Sequence, residues 1–266
     1  MNPRYPNRIV CLTEEPTEVL YALGLEDRIV GISGFTVRPA RARREKPRVS
    51  AFISAKVDRI LALDPDFAIG FSDIQADIAQ ALIKRGVEVW ISNHRTVGGI
   101  LGYVRRLGAL VGAAGPAEEF ARGLERHVDE VRAAAARLPR RPRIYFEEWD
   151  EPLITAIGWV SEIIGIAGGD EIFPERAARS LGKDRILEDP AEVVRRAPDI
   201  ILGSWCGKRF RAAAVRARAG WAAVPAVRDG ELHEIKSAII LQPGPAALTD
   251  GLDAIHAIVK RWSMSA

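Results

Sequence analysis

The sequence predicts an α/β protein of two Rossmann-like lobes, each built on a mainly parallel sheet, joined by one long helix with a ligand cleft between the lobes. Three observations lead there. Short apolar runs alternate with amphipathic stretches, the pattern of parallel strands covered by helices on both faces. Pro116 to Leu138 reads as one uninterrupted helix. The sequence on its two sides is related. Arg8-Ile9-Val10 is echoed by Arg143-Ile144-Tyr145, and Pro65-Asp66-Phe67-Ala68-Ile69-Gly70 by Pro198-Asp199-Ile200-Ile201-Leu202-Gly203. Both offsets are close to half of the 266 residues, which points to an internal duplication. The expected division is an N-terminal lobe over residues 1–112, a bridging helix over 113–139 and a C-terminal lobe over 140–266.

In chain order, Arg8 to Leu12 is an apolar strand, followed by a helix from Thr17 to Leu23 that Gly24 closes. Arg28 to Ile32 is the second strand and ends at Ser33-Gly34-Phe35. Arg38 to Arg48 is a basic loop, solvated by default. A short helix over Val57 to Leu63 precedes a buried strand, Phe67 to Phe71. Ala76 to Arg85 is a helix, Val87 to Ile91 a strand, and Thr96 to Val111 a helix. In the bridging helix, Pro116 suits the first position, and Glu118 and Glu119 meet the positive end of the dipole. Phe120, Leu124, Val128, Val131, Ala135 and Leu138 form one apolar stripe, and Pro139 and Pro142 stop the helix. The second half restarts with a strand over Arg143 to Glu147 and a loop over Glu148 to Pro152. A helix over Trp159 to Ala167, a short helix over Ala191 to Arg196, and strands over Ile200 to Leu202 and Glu231 to Ile235 follow. The closing helix, Pro245 to Trp262, carries Leu248, Leu252, Ile255, Val259 and Trp262 on one face.

Composition bounds the function. Apolar residues at 48% and charged residues at 27% describe a globular protein with a real core. A formal charge of +3 argues against nucleic acid as a partner. Cys11 and Cys206 lie too far apart for a disulfide framework or a zinc motif, and His94, His127, His233 and His256 have no metal spacing. No metal or resident cofactor is therefore expected. No apolar run is long enough to span a membrane, so any membrane association is peripheral. Met1 to Pro6 lacks a signal core, and a cytoplasmic monomer is expected as the sequence reads. The alternative is a periplasmic protein whose export leader has been removed.

Parallel sheets bind ligands outside the carboxyl ends of their strands. That rule nominates Thr13, Glu14 and Glu15, Ser33 to Phe35, Phe52, and Phe71, Ser72 and Asp73 in the first half. In the second half it nominates Glu148, Trp149 and Asp150, then Ser204, Trp205, Cys206, Gly207 and Lys208, and the stretch Lys236 to Pro243 with Gln242. Aromatic faces suit a large, flat ligand, oriented by a few polar groups. Acids sharing one cleft would favour a cationic or hydrogen-bond-donating ligand. The bland alternatives are core packing for Phe52 and Phe71, helix capping for the acids, and a buried inert thiol for Cys11 and Cys206. His127 and His256 read as helix-surface or packing residues. No phosphate loop, Rossmann glycine fingerprint, HExxH or GxSxG is present, so no catalytic residue is nominated.

Arg8 to Glu18, Arg28 to Phe35, Val57 to Asp66, Gly168 to Phe173 and Ala191 to Asp199 together carry a resemblance that covers nearly the whole chain. The chain resembles the periplasmic-binding-protein class that serves iron-siderophore, haem and cobalamin ABC importers, and within it the cobalamin binders. The resemblance implies two lobes on one long helix, with a preformed cleft and little hinge motion. It puts Phe35, Phe52 and Phe71 where cobalamin binders hold aromatics against the corrin, although those proteins tend to use tyrosine or tryptophan. Arg185 stands near the place of a second-lobe aromatic. Thr13-Glu14-Glu15 is more acidic than the family's serine-proline loop, which suits a truncated or more cationic corrinoid. The resemblance also implies docking to an ABC importer permease through one acid on each lobe, Asp58 and Glu192 here.

The expected function is therefore binding of a corrinoid, cobalamin or cobinamide-like, for ABC-type uptake or for cytoplasmic corrinoid handling. A ferric siderophore, haem or another metal chelate is the first alternative, with the Arg38 to Arg48 run as its support. A Cys206-dependent enzyme is the second, and a cytoplasmic protein-binding module the third.

Overall fold

A computed structural model of the chain describes residues 4–51 and 55–265. These divide into two compact units. Met1–His94, Gly98–Glu125 and Pro243–Pro245 form the first; Arg95–Val97, Arg126–Gln242 and Ala246–Ala266 form the second.

The first unit holds five strands: β1 (Ile9–Cys11), β2 (Ile29–Ser33), β3 (Arg48–Ser50), β4 (Phe67–Phe71) and β5 (Glu88–Ser92). They pair in the order β3-β2-β1-β4-β5, every pair parallel. The chain winds outward from β1 to β3, returns to the middle, and winds outward again through β4 and β5. The order reverses between β1 and β4. Val10, Leu12, Ile60, Ala68, Ile78 and Leu82 fill the core on one side of this sheet.

The second unit holds β6 (Arg143–Asp150), β7 (Leu153–Thr155), β8 (Asp170–Glu171), β9 (Ile200–Gly203) and β10 (Leu232–Glu234). β10, β9 and β6 run parallel. β7 pairs antiparallel with the end of β6, and β8 pairs parallel with its start. Its core gathers Tyr145, Phe173, Val193, Ile201 and Trp221.

The sequence echo is a pair of equivalent joints. β1 meets β4 with Ile9 opposite Phe67, and β6 meets β9 with Ile144 opposite Ile200. Asp66 accepts the Arg8 amide at 3.0 Å, and Asp199 accepts the Arg143 amide at 2.8 Å. Each aspartate's own N–H returns to the carbonyl of that same arginine. The echoed glycines also do the same job. A Cβ on Gly70 would lie 2.4 Å from Gln75 Oε1, and one on Gly203 would lie 2.0 Å from the Phe210 ring. Gly203→Ala therefore costs stability by overpacking, about 1–3 kcal/mol. Urea unfolding of the variant measures it, and an unchanged midpoint would refute this account.

The long helix runs Ala114–Ala135 rather than from Pro116 to Leu138. Pro116 fits inside the first turn because the first amides of a helix have no intrahelical acceptor. Leu124, Val128, Val131 and Ala135 are buried, as the stripe requires. Arg105, on the helix Val97–Leu110, ties it to Glu118 at 2.7 Å and Glu125 at 2.9 Å. The boundary between the units falls within this helix, between Glu125 and Arg126.

Three local expectations change. The basic stretch Arg38 to Arg48 is not only loop: it holds a short helix, Ala42–Glu45, and enters β3. Arg38 pairs with Glu18 and Arg41 with Glu26, so part of its charge is already matched. The stretch Glu148 to Pro152 is not a loop throughout, because β6 continues to Asp150 and turns back into β7. The closing helix contains a π-helical turn, Ala247–Gly251, before Leu252–Met264. A Cβ on Gly251 would lie 2.2 Å from the Ile239 carbonyl oxygen, so this turn packs against backbone.

Candidate functional site

In the first unit the reversal of strand order opens a crevice outside the carboxyl ends of β1 and β4. Leu12 to Glu15 and Phe71 to Asp73 end on it. Gln75, which the sequence reading passed over, holds the two sides together. Its Nε2 donates to the Leu12 carbonyl at 3.3 Å and its Oε1 accepts the Phe71 amide at 3.0 Å. Ser50 Oγ donates to the same Leu12 carbonyl at 3.2 Å.

Glu14 and Glu15 open the helix Glu14–Ala22. Thr13 stands at its N-cap but gives its hydroxyl to Glu15 Oε1, at 2.7 Å, instead of capping the backbone. Glu15 is 1% exposed, and its Oε2 has no hydrogen-bond partner among the described residues. Burial pushes the Glu14 carboxyl up to about 7. Burial, and then the charge of Glu14, push Glu15 up to about 8. At neutral pH Glu15 is therefore largely protonated and Glu14 about half so, which lowers the negative charge at this crevice. It is not the repelling anionic patch that the sequence suggested.

The phenylalanines divide. Phe35 is 52% exposed beside the end of β2, with its amide on Ser33 Oγ at 3.2 Å. Phe71 is buried, with its ring 5.3 Å edge-on to His94. Phe52 lies outside the described residues. Ser72 follows Phe71 with φ of +70°, a strained conformation for a residue other than glycine, and donates to Asp73 Oδ1 at 2.6 Å. His94, which no sequence signal assigned, is buried, stacks on Tyr103 at 4.7 Å, and meets the Pro243 carbonyl at 2.7 Å.

In the second unit the equivalent crevice lies outside β6 and β9. Glu147, fully buried, accepts two bonds from Arg218 at 2.6 and 2.8 Å and one from Trp205 Nε1 at 2.9 Å. Trp205 is 2% exposed and packs edge-on against Phe210, so only part of one edge remains at the surface. Glu148 takes two bonds from Arg185, whose nearest nitrogen is 2.7 Å away. Arg185, 1% exposed, also donates to the Thr155 carbonyl and is a buried cation where an aromatic was expected. Asp150 forms an ion pair with Lys208. The Lys208 ammonium sits 4.1 Å over the Trp149 ring and 5.4 Å from Trp205. Trp149 is half-buried and donates from Nε1 to the Glu151 carbonyl at 2.8 Å. Gln242 ends the unit with a buried Oε1 that has no hydrogen bond among the described residues.

The cysteines correct one expectation. Cys11 is core, and burial pushes its thiol up to about 12. Cys206 is exposed rather than buried, because it occupies the second position of the turn Trp205–Lys208, closed by the Lys208 amide on the Trp205 carbonyl at 3.2 Å. The helix histidines do pack: His127 meets Asp253 at 2.9 Å, and His256 meets the Ala167 carbonyl at 2.9 Å. Asp58 is exposed in the first turn of the helix Val57–Leu61. Glu192, in the first turn of Ala191–Arg196, is half-buried and shared between Arg196 and Arg176.

The sequence profile of the periplasmic binding proteins matches residues 9–239. The chain belongs to the periplasmic binding protein family. A relative named vitamin B12-binding protein, from Vibrio parahaemolyticus, is 26% identical over 245 residues, covering 91% of this chain and 85% of its own. The protein of the same name from Yersinia pseudotuberculosis is 25% identical over 193 residues, 70% of this chain and 68% of its own. Two solved periplasmic binding proteins share the fold. The heme-binding protein RhuT from Roseiflexus superposes with a TM-score of 0.81 at 23% identity, over 95% of this chain and 99% of its own. The vitamin B12 binding protein BtuF of Vibrio cholerae gives 0.76 at 22%, over 98% and 99%. The family resemblance and the two α/β units read from the sequence are thus borne out. Family members are periplasmic, and no helix among the described residues is long and apolar enough to cross a membrane.

Proposed function

We infer that this chain is the solute-binding protein of an ABC-type importer, that its ligand is a corrinoid of the cobalamin or cobinamide kind, and that it works in the periplasm as a monomer without chemistry or a resident cofactor of its own. The similarity to a vitamin B12-binding protein along 91% of the chain carries this reading. The crevice chemistry supports it. A corrin is a flat macrocycle fringed with neutral amides, and Glu14, half-buried and about half protonated at neutral pH, offers an O–H donor for an amide oxygen. Exposed Phe35, in the same unit, offers an apolar face. Asp58, exposed, is the stronger of the two candidate importer-docking acids, since Glu192 already serves two arginines.

Titration with cyanocobalamin, dicyanocobinamide and haemin tests the reading. Either corrinoid at about 100 times its Kd should stabilise the protein by about 2.7 kcal/mol and shift the corrin absorption bands. No response to either corrinoid, with a haemin response instead, would transfer the function to haem.

A further inference from the structure

A second pocket lies beside the second-unit crevice, past the ends of β9 and β10. Its volume is about 470 Å³, and Trp205, Lys208, Arg209, Glu234 and Lys236 line it. The local chain is built to gather charge there. Gly207 takes φ of +77°, so the turn Trp205–Lys208 folds back and lays Lys208 over the two indoles. Lys236, the residue after Ile235, pairs with Glu234 at 2.6 Å. Glu234 is held below its ordinary range, chiefly by that hydrogen bond, and it also accepts the Phe210 amide at 3.4 Å. Lys208 is matched by Asp150, and Lys236 by Glu234. Arg209 is exposed and has no ion pair among the described residues. With Asp150 just outside the lining, three cations meet two carboxylates, and the pocket is left with one positive charge beside the edge of Trp205.

We propose that this pocket takes a single phosphate-ester anion next to a flat ring, and that it thereby distinguishes corrinoids that carry a nucleotide loop from those that lack one. The ligand identity rests on the corrinoid reading above; the anion pocket does not. Cobalamin's loop contains one phosphodiester, a monoanion, attached to a nucleoside. Cobinamide keeps the macrocycle and lacks both. The charge left on the pocket matches the first ligand and has no counterpart in the second. Exposed lysines and arginines contribute through charge-assisted bonds that salt weakens.

The test uses Arg209→Ala, an exposed position that carries the unmatched charge. The wild type should bind cyanocobalamin about tenfold more tightly than dicyanocobinamide at low salt, the weight of about one charge-assisted contact. The variant should lose that difference and keep its affinity for cobinamide. Equal wild-type affinities, or a variant that weakens both ligands alike, would overturn the pocket and leave corrinoid binding standing. A second measurement follows the Trp205 indole N–H resonance. A nucleoside 3′-phosphate should shift it saturably in the wild type and not in the variant, and the bare nucleoside should shift neither. That result without binding of any corrinoid would keep the anion pocket and sink the corrinoid reading. No shift with the nucleoside phosphate would count against the pocket.

Discussion

Glu147→Ala lowers the stability of the second unit by about 3–5 kcal/mol, the cost of stripping one partner from a buried ion pair. Glu147 is fully buried and is the acceptor for Arg218 and for the Trp205 indole. Its removal strands a guanidinium that is largely buried and packed 4.5 Å from the Trp221 ring. It also leaves a buried indole N–H unmade, and orphaned buried donors cost about 1–3 kcal/mol. Glu147→Gln keeps an acceptor oxygen and should lose roughly half as much. A paired apolar replacement, Glu147→Leu with Arg218→Met, should recover much of the loss, since no charge is left alone. Urea unfolding followed by tryptophan fluorescence reads this unit selectively, because Trp90 is the single tryptophan of the first. A loss under about 1 kcal/mol for Glu147→Ala would mean that water or another group already compensates Arg218.

That network also shows where sequence reading stops. β1, β4, β6 and β9 were legible because each is an apolar run of strand length, and the echoed aspartates and glycines are local features with local causes. Glu147 and Arg218 stand 71 residues apart, and nothing in either neighbourhood marks them as partners. Trp205 beside polar residues looked like an exposed ligand face, yet its N–H is satisfied by a buried carboxylate, which allows the indole to be buried. β3 was hidden because Arg48-Val49-Ser50 is short and leads out of a basic run. The four- and five-residue helices Pro174–Ala177, Ala212–Arg216, Pro225–Arg228 and Ser237–Ile240 are too short to show a 3.6-residue period. Strand-end position singled out Glu14 and Glu15, but their protonation depends on burial, which is a property of the fold.

Glu15→Gln should stabilise the first unit at pH 8 by about 2–4 kcal/mol and leave it nearly unchanged at pH 4.5. In the unfolded chain Glu15 loses its proton near 4.5; in the folded chain it keeps it to about 8. Between those values the native state binds more protons than the unfolded one, so wild-type stability falls as pH rises across that window. Glu14, pushed up to about 7, adds a smaller fall of the same sign. Glutamine is neutral throughout, retains an oxygen for the Thr13 hydroxyl, and removes the repulsion that Glu14 feels. Urea midpoints at pH 4.5 and 8 decide the matter. A variant destabilised equally at both would show that Glu15 is held ionised by a partner. The same titration bears on ligand binding. Above pH 8 the crevice exchanges O–H donors for carboxylates, so affinity for an amide-fringed macrocycle should fall while affinity for a cationic one should rise.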